Sequence, residues 1–246
     1  MNNNTECRFE KETIIPLSLC DSSGKLSINN VFTVFMDLAA EHAELIELGA
    51  DKMAAKNMFW LTVKTKIHIN DRPAMMSRVK AATWPEAPGK IRCNRFYSLR
   101  DENTLYAEGV TEWAIMDVSS GKLCKASEIY TPGTVFSEQK PDIEPFDKIL
   151  DSFDDSQKIA EYRISSSDID IGNHMNNAAY VRALIGALSC DELNTRSVTD
   201  VEVVFKQPCF EGDVLSIYRR DTDSGFDMAM MTQGGKTAIL ARFKTA

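Results

Sequence analysis

Along residues 61–69 apolar and polar positions alternate, with Leu61, Val63, Thr65, Ile67 and Ile69 on one side and Thr62, Lys64, Lys66 and His68 on the other. A period of two belongs to a strand with one buried face, and it sets His68 among the lysines on the exposed side. Upstream the period changes. Val31, Val34, Phe35, Leu38, Ala39, His42, Leu45 and Ile46 share one face of a 3.6-residue repeat between Ser27 and Gly49, which predicts a long helix with His42 as a core histidine. Residues 14–18 read as an opening strand and residues 21–24, Asp-Ser-Ser-Gly, as a turn. Further strands are expected at 79–84, 91–99 and 105–117, with turn signals at 85–89 and 101–103 between them. One long helix followed by a meander of strands is an α+β layout, the helix packed on an antiparallel sheet.

Residues 131–158 break this pattern. They are rich in Pro, Asp, Glu and Ser, with isolated Phe136, Phe146, Ile149 and Phe153, and so predict a linker that crosses a surface and is pinned by those apolar side chains. Beyond it the first order returns: a strand at 160–164, a helix carrying Val181, Leu184, Ile185 and Leu188, then strands at 201–205, 214–219, 226–232 and 237–243. Two stretches repeat at residue level. Ile28-Asn29-Asn30 opens the first helix as Met175-Asn176-Asn177 opens the second, and residues 72–79 align without a gap on residues 207–214. A repeat of half the chain implies two similar modules related by a pseudo-two-fold axis. The expected division is 1–130, an acidic linker 131–158, and 159–246.

Composition narrows the class. With 246 residues, 43% hydrophobic and 26% charged, the chain can bury a sizeable core. No apolar run approaches the ~18 residues of a membrane span, and the start lacks a basic-then-apolar leader pattern, so the cytoplasm is the expected compartment. The six cysteines form no C-x-x-C pair and the three histidines lie far apart, so reduced thiols, no metal site and no cofactor are expected. No G-x-S-x-G elbow or phosphate-binding glycine loop is present. A net charge of −8 argues against nucleic acid as a partner. That charge is uneven, because residues 52–95 hold ten Lys/Arg against two Asp/Glu, whereas residues 131–161 hold three against eight.

The densest chemistry lies in residues 168–180, DIDIGNHMNNAAY, where two carboxylates, a histidine and three asparagines precede an apolar helix. A helix N-terminus adds unpaired backbone N–H groups to such a cluster. Asp170 is the candidate general base or nucleophile, and His174 can orient it or share its proton. Asn173, Asn176 or Asn177 could polarise water or a carbonyl, with Asn176 placed to cap the helix; Asp168 reads equally as a cap. Cys209 reads either as a nucleophile served by His174 or as a packed thiol. Glu211 reads either as a solvated turn residue before Gly212 or as a carboxylate reaching the site.

These features combine with Ala39-Ala40-Glu41-His42-Ala43, Trp60-Leu61-Thr62-Val63, Asp71-Arg72-Pro73, Thr83-Trp84 and Trp113-Ala114-Ile115-Met116 in a pattern that resembles the acyl-acyl carrier protein thioesterases. The family's D-x-N-x-H-x-N-N-x-x-Y motif falls on Asp170, Gly172, His174, Asn176, Asn177 and Tyr180, with Gly172 in place of its asparagine. Pro208 stands before Cys209 where many members have a glutamate. The resemblance implies a tandem, or double, hot-dog fold, each module a long central helix wrapped by an antiparallel sheet. It also implies hydrolysis of a carrier-linked acyl thioester at Asp170, His174, Asn173, Cys209 and Glu211. The acyl group would be held by Asn177, Trp60, Met75, Trp84 and Trp113, most of them in a tunnel of the first module. An acidic acyl carrier protein would dock on the basic stretch, foremost on Lys64, Lys66 and Arg92. An acyl-coenzyme A thioesterase and a non-catalytic acyl-thioester sensor are the alternatives, and homodimerisation stays open.

Overall fold

A computed structural model describes residues 7–246; the first six residues, and with them the start considered above for a leader, lie outside the described residues. Helix α1 (Ile28–Leu45) forms where the 3.6-residue stripe predicts it, and Val31, Phe32, Phe35, Leu38, Ala39 and His42 are buried along it. Helix α3 (Asn177–Gly186) repeats the device with Tyr180, Val181, Leu184 and Ile185. It ends before Leu188. Two helices of six residues, α2 (Ala50–Ala55) and α4 (Cys190–Thr195), were not foreseen, being too short to display a period.

Ten strands build one sheet: β1 (Phe9–Ile14), β2 (Met58–Ile69), β3 (Arg78–Pro85), β4 (Arg92–Arg100), β5 (Leu105–Asp117), β6 (Lys158–Arg163), β7 (Val198–Phe205), β8 (Val214–Thr222), β9 (Gly225–Thr232) and β10 (Thr237–Thr245). The opening strand lies earlier than the expected 14–18, because Pro16 has no N–H to continue a ladder and residues Leu17–Leu19 turn as 3-10 helix. The order is β1-β3-β4-β5-β2-β7-β10-β9-β8-β6. Read inward from either edge, the succession is the same in both halves. The halves meet where β2 pairs with β7, from Lys64 opposite Val204 to His68 opposite Asp200. There His68 bonds Asp200 at 2.9 Å and is only part-exposed, contrary to its expected place in solvent.

Both long helices lie on one face of this sheet. Phe35 and Leu38 of α1, Val181 and Leu184 of α3, and strand residues Ile67, Val201, Met228 and Phe243 belong to one buried cluster spanning the seam. The opposite face carries smaller clusters around Trp84 and Phe96 and around Ile149, Ala229 and Leu240. The linker covers that face, as its isolated apolar residues predict. Ile149 is buried, Phe153 packs on Tyr218 and Phe146 lies under the Lys64 ammonium, whereas Phe136 packs on Tyr130, which belongs to the helix side.

One detail of β2 departs from simple alternation. Thr62 pairs with Trp113 and Lys64 with Glu112, so Val63 is an extra residue against β5, a bulge. The phase therefore reverses, and Met58, Trp60 and Thr62 reach the helix side together with Ile67 and Ile69.

The internal repeat is real in the backbone but offset from the residue matches. Ile15 N–H donates to Ser77 O at 3.0 Å and Ile164 N–H to Asp213 O at 2.9 Å; Met76 N–H returns to Ile15 O at 2.8 Å and Gly212 N–H to Ile164 O at 2.9 Å. Ser77 thus corresponds to Asp213, and Arg72 to Pro208, one residue from the ungapped alignment. Likewise Cys20 bridges Leu26 as Ile169 bridges Met175, so Leu26-Ser27-Ile28, not Ile28-Asn29-Asn30, stands where Met175-Asn176-Asn177 stands. The shared Asn-Asn pair is a coincidence of composition.

Candidate active site

Residues 168–176 fold into a tight loop held by its own backbone. Asp170 N–H donates to His174 O at 3.1 Å, Asn173 N–H to Asp170 O at 3.0 Å, and Asn176 N–H to Asp168 O at 2.8 Å. Asn173 takes a left-handed conformation at φ 58°, which asparagine tolerates better than most residues. Its backbone makes the turn, and no hydrogen bond joins its side chain to Asp170 or His174. Asn176 is the helix cap as expected, its side chain accepting from Ala178 N–H at 2.8 Å. Asp168 is buried and structural, accepting from Tyr162, Ser165 and Arg182. Burial opposes its ionisation, but the Ser165 and Tyr162 hydrogen bonds and the Arg182 charge hold its carboxyl below the usual range.

Asp170 and His174 are brought together. Asp170 Oδ1 accepts from Gly172 N–H at 2.8 Å and lies 3.7 Å from His174 Nδ1, with both side chains about three-quarters buried. A Cβ at Gly172 would fall 2.8 Å from His174 Nε2 and 3.1 Å from Asp170 Oδ1. The imidazole and carboxylate therefore occupy the space that a side chain at this position would fill, which is a physical reason for glycine where the resembling family has asparagine.

The first half supplies the wall. Phe59 meets the His174 ring edge-on at 6.0 Å between centroids, and Asn177 Nδ2 donates to Thr62 Oγ1 at 2.8 Å. Thr62 was missed from sequence, because only the bulge turns it toward α3. Trp60 and Trp113, ring centroids 6.0 Å apart, also lie on the helix side, Trp60 donating to Leu48 O at 2.9 Å.

Other expected residues lie elsewhere. Cys209 anchors the loop by accepting from Met175 N–H at 2.8 Å, but its thiol is buried beside the Tyr180 hydroxyl, and burial pushes its pKa up. No contact joins it to His174, so the thiol is packing. Glu211 sits exposed in the turn before β8, without an ion pair among the described residues. Met75 is 43% exposed on the corresponding turn of the first half, because its segment leads into β3 rather than under the helices. Trp84 is buried on the far face, where its indole donates to Gln139 O at 2.7 Å, so it lines no passage under α1.

The basic stretch is likewise committed within the chain. Lys66 has 1% side-chain exposure, donates to Pro145 O at 2.8 Å and lies 3.4 Å from Glu202. Lys64 pairs with Glu112 and sits over Phe146; Arg92 also pairs with Glu112 but stays half-exposed. The acidic linker is what this face binds, and among the three expected docking residues Arg92 alone is left well exposed. Local charge counts cannot reveal this, since the neutralising Glu112 and Glu202 lie outside the basic stretch, on β5 and β7.

The first half holds a twin of the loop. Asp21 N–H donates to Lys25 O at 2.9 Å, Ser23 N–H to Asp21 Oδ1 at 2.9 Å, and Gly24 is left-handed where Asn173 is. Asp21 stands for Asp170 and Lys25 for His174. Arg72, however, pairs directly with the second oxygen of Asp21. Burial works against ionisation there, but Ser23 and Arg72 outweigh it and hold the Asp21 carboxyl below the usual range. In the second half the position of Arg72 is Pro208, and among the described residues the ion-pair contact of Asp170 is His174.

Two family models match in succession: the acyl-ACP thioesterase N-terminal domain over residues 6–132 and the acyl-ACP thioesterase C-terminal domain over residues 152–245. The chain belongs to the acyl-ACP thioesterase family. Among similar proteins, the chloroplastic oleoyl-acyl carrier protein thioesterase 1 of Arabidopsis thaliana is 21% identical over 211 residues, 79% of this chain and 58% of the relative. The chloroplastic palmitoyl-acyl carrier protein thioesterase of the same plant is 23% identical over 213 residues, 77% of this chain and 49% of the relative. The chain spans about half the length of the curated relatives it matches. An acyl-ACP thioesterase structure from Bacteroides thetaiotaomicron superposes with a TM-score of 0.87 at 17% identity, covering 98% of both chains. The 12:0-ACP thioesterase from Umbellularia californica gives 0.83 at 17% identity, again over 98% of both chains. The shared architecture is the hot-dog fold. Among the described residues no helix is long and apolar enough to cross a membrane, and no group of His, Cys, Asp and Glu is placed to hold a metal ion.

Proposed function

We propose that the chain hydrolyses the thioester of acyl-acyl carrier protein, releasing free fatty acid, at Asp170 and His174. The observation that carries this reading is the largely buried carboxylate–imidazole pair at the mouth of α3, facing Phe59 and Thr62 of the other half. In the proposed step Asp170 draws a proton from water as its oxygen bonds to the thioester carbonyl carbon. The oxyanion that forms faces the start of α3, where the Asn177 N–H has no intrahelical acceptor by position. Asp170 passes that proton to His174, 3.7 Å away, and as the C–S bond breaks the imidazolium so formed hands it to the departing thiolate, leaving carboxylic acid and thiol and restoring the pair. Asn177, tied to Thr62, is a positioning residue, and Trp60 and Trp113 border the acyl path in this reading.

The fold supports a tandem pair of hot-dog modules, 1–130 and 159–246, joined by residues 131–158. Its mirrored strand order is the basis of that division. The carrier, an acidic helical protein bearing the acyl-phosphopantetheine arm, is the proposed partner, with Arg92 as the part of the expected dock left exposed. The six unpaired cysteines support a reducing compartment such as the cytoplasm. The test is release of fatty acid from a chain-length series presented on carrier protein and on coenzyme A. Turnover of the carrier series, lost by more than ~10²-fold in Asp170→Ala, is expected. Equal turnover of both series would favour the coenzyme A reading, and no turnover by the wild type would favour a sensor.

A further inference from the structure

The inner face of the first half carries buried polar groups among its apolar side chains. Strand β4 turns Cys93, Arg95, Tyr97 and Leu99 toward α1, and the register sets Arg95 opposite Thr111 of β5 and Tyr97 opposite Thr83 of β3. Arg95 is 8% exposed, and among the described residues no carboxylate pairs with it. Its Nη1 donates to His42 Nδ1 at 2.9 Å and to the Thr83 hydroxyl at 3.3 Å. His42 cannot balance the charge. Burial, then the Arg95 charge itself, lowers the imidazole pKa to about 4, so the ring is neutral, accepts at Nδ1 and turns Nε2 to the Cys7 thiol at 3.9 Å. Burial also raises the Cys7 and Cys93 thiols, so neither provides a thiolate. A buried guanidinium without a counter-ion is costly, and natural proteins pair such groups.

Two further donors share this surface. The Tyr97 hydroxyl and the Trp113 indole N–H are shut off from solvent without a well-formed hydrogen bond, making only loose contacts with each other and, for Tyr97, with Thr111. Buried polar atoms left unpaired call for an explanation. Trp113 lies opposite Cys93 on one side and Thr62 on the other, and Thr62 holds Asn177 at the start of α3. From Thr62 to Arg95 is two strand spacings across and two residues along, ~12 Å, the reach of a medium-length aliphatic chain.

We propose that Arg95, Tyr97 and Trp113 form an interior receptor for the carboxylate of a medium-length aliphatic acid. Two sources present that chemistry: the far end of an acyl chain whose other end is the thioester at Asp170, and a free fatty acid that enters carboxylate first. The first source rests on the thioesterase reading, whereas the receptor itself rests on Arg95 and its neighbours.

The test begins with thermal unfolding of the full chain, titrated with a medium-chain α,ω-dicarboxylic acid, the monocarboxylic acid of equal length and the matching alcohol. Both acids should raise the wild-type Tm and the alcohol should not, with acid affinity falling ~10- to 100-fold in Arg95→Met and less in Tyr97→Phe. Acids and alcohol acting alike, or Arg95→Met binding acid as tightly as the wild type, would overturn the receptor. If Arg95→Met does not fold, Tyr97→Phe and Trp113→Phe carry the same comparison. The second measurement is the kcat/KM ratio of ω-carboxyacyl to plain acyl groups on carrier protein. A wild-type ratio above ~10 that collapses in Arg95→Met assigns the thioester source, and a ratio below one with Arg95-dependent acid binding assigns the free acid. Arg95-dependent acid binding without any thioester turnover would sink the thioesterase reading and leave the receptor standing.

Discussion

The two halves carry the same loop with its carboxylate in contrasting surroundings. Around Asp21 the backbone turn, the left-handed fourth residue and the cap position of Ser27 reproduce those around Asp170, yet Arg72 closes on the first carboxylate and nothing equivalent closes on the second. The chemistry of the loop is therefore decided from outside it, by the residue leading into β3 or β8. An arginine there makes a structural clasp, and Pro208, which has neither charge nor N–H, leaves Asp170 facing His174. The same cradle is built twice, and the strand-entry residue sets the partner of its carboxylate in each copy.

The largest expected effect comes from neutralising each carboxylate in turn. Asp170→Asn should lower kcat for carrier-linked substrate by ~10³-fold, whereas Asp21→Asn should stay within ~2-fold and instead cost about 1–2 kcal/mol in urea unfolding. Equal losses of activity would erase the distinction between the loops.

The histidines contrast as well. His42 is buried and held neutral, with its pKa lowered to about 4 from 6.5. An unfolded chain takes up this proton near pH 6.5 and the folded one does not until about 4, so the stability is intact above that window and drains away as pH falls through it. The loss should approach about 3 kcal/mol by the lower end, and His42→Gln should flatten the difference in urea midpoint between neutral and acid pH. A wild-type slope that survives the substitution would refute the assignment.

Transplanting the clasp is the sharper manipulation. Pro208→Arg should pair with Asp170 and reduce kcat by ~10- to 100-fold with little loss of stability, and a structure of the variant would show the ion pair. If the pair forms and kcat holds, freedom of the carboxylate is not what separates the halves. Smallest is Gly172→Ala. The added methyl must push the imidazole off its seat, and kcat should fall ~3- to 10-fold with KM nearly steady.

Much of this architecture is legible in the sequence, because period carries it: the α1 stripe, the strands of both meanders and the pinned linker all follow from alternation and composition. So does the candidate pair, since Asp170 and His174 are four positions apart in one turn. What period cannot carry is a change of phase. The bulge at Val63 reverses β2, and Thr62 moves from the expected solvent side to Asn177. Trp84 fails for a related reason, since an indole suits either face of a sheet and only the partner strand and Gln139 decide which. Residue identity misled the repeat alignment twice, because backbone bonding constrains the loops and their side chains have diverged. Lys66 fails as a docking residue because its burial depends on Glu202 and Pro145, distant in the chain.

The join through the linker bears on how such an asymmetry can arise. Where two identical chains associate, any codon change alters both loops at once, and neither can be silenced while the other is kept. Here the linker lies across the outer face of both halves, with Lys66, Arg220 and Lys244 gripping it between Glu144 and Ser152, so the pair is inherited as one unit with separately editable sides. Changes can then accumulate in one loop, and in the space beside it, without altering the other.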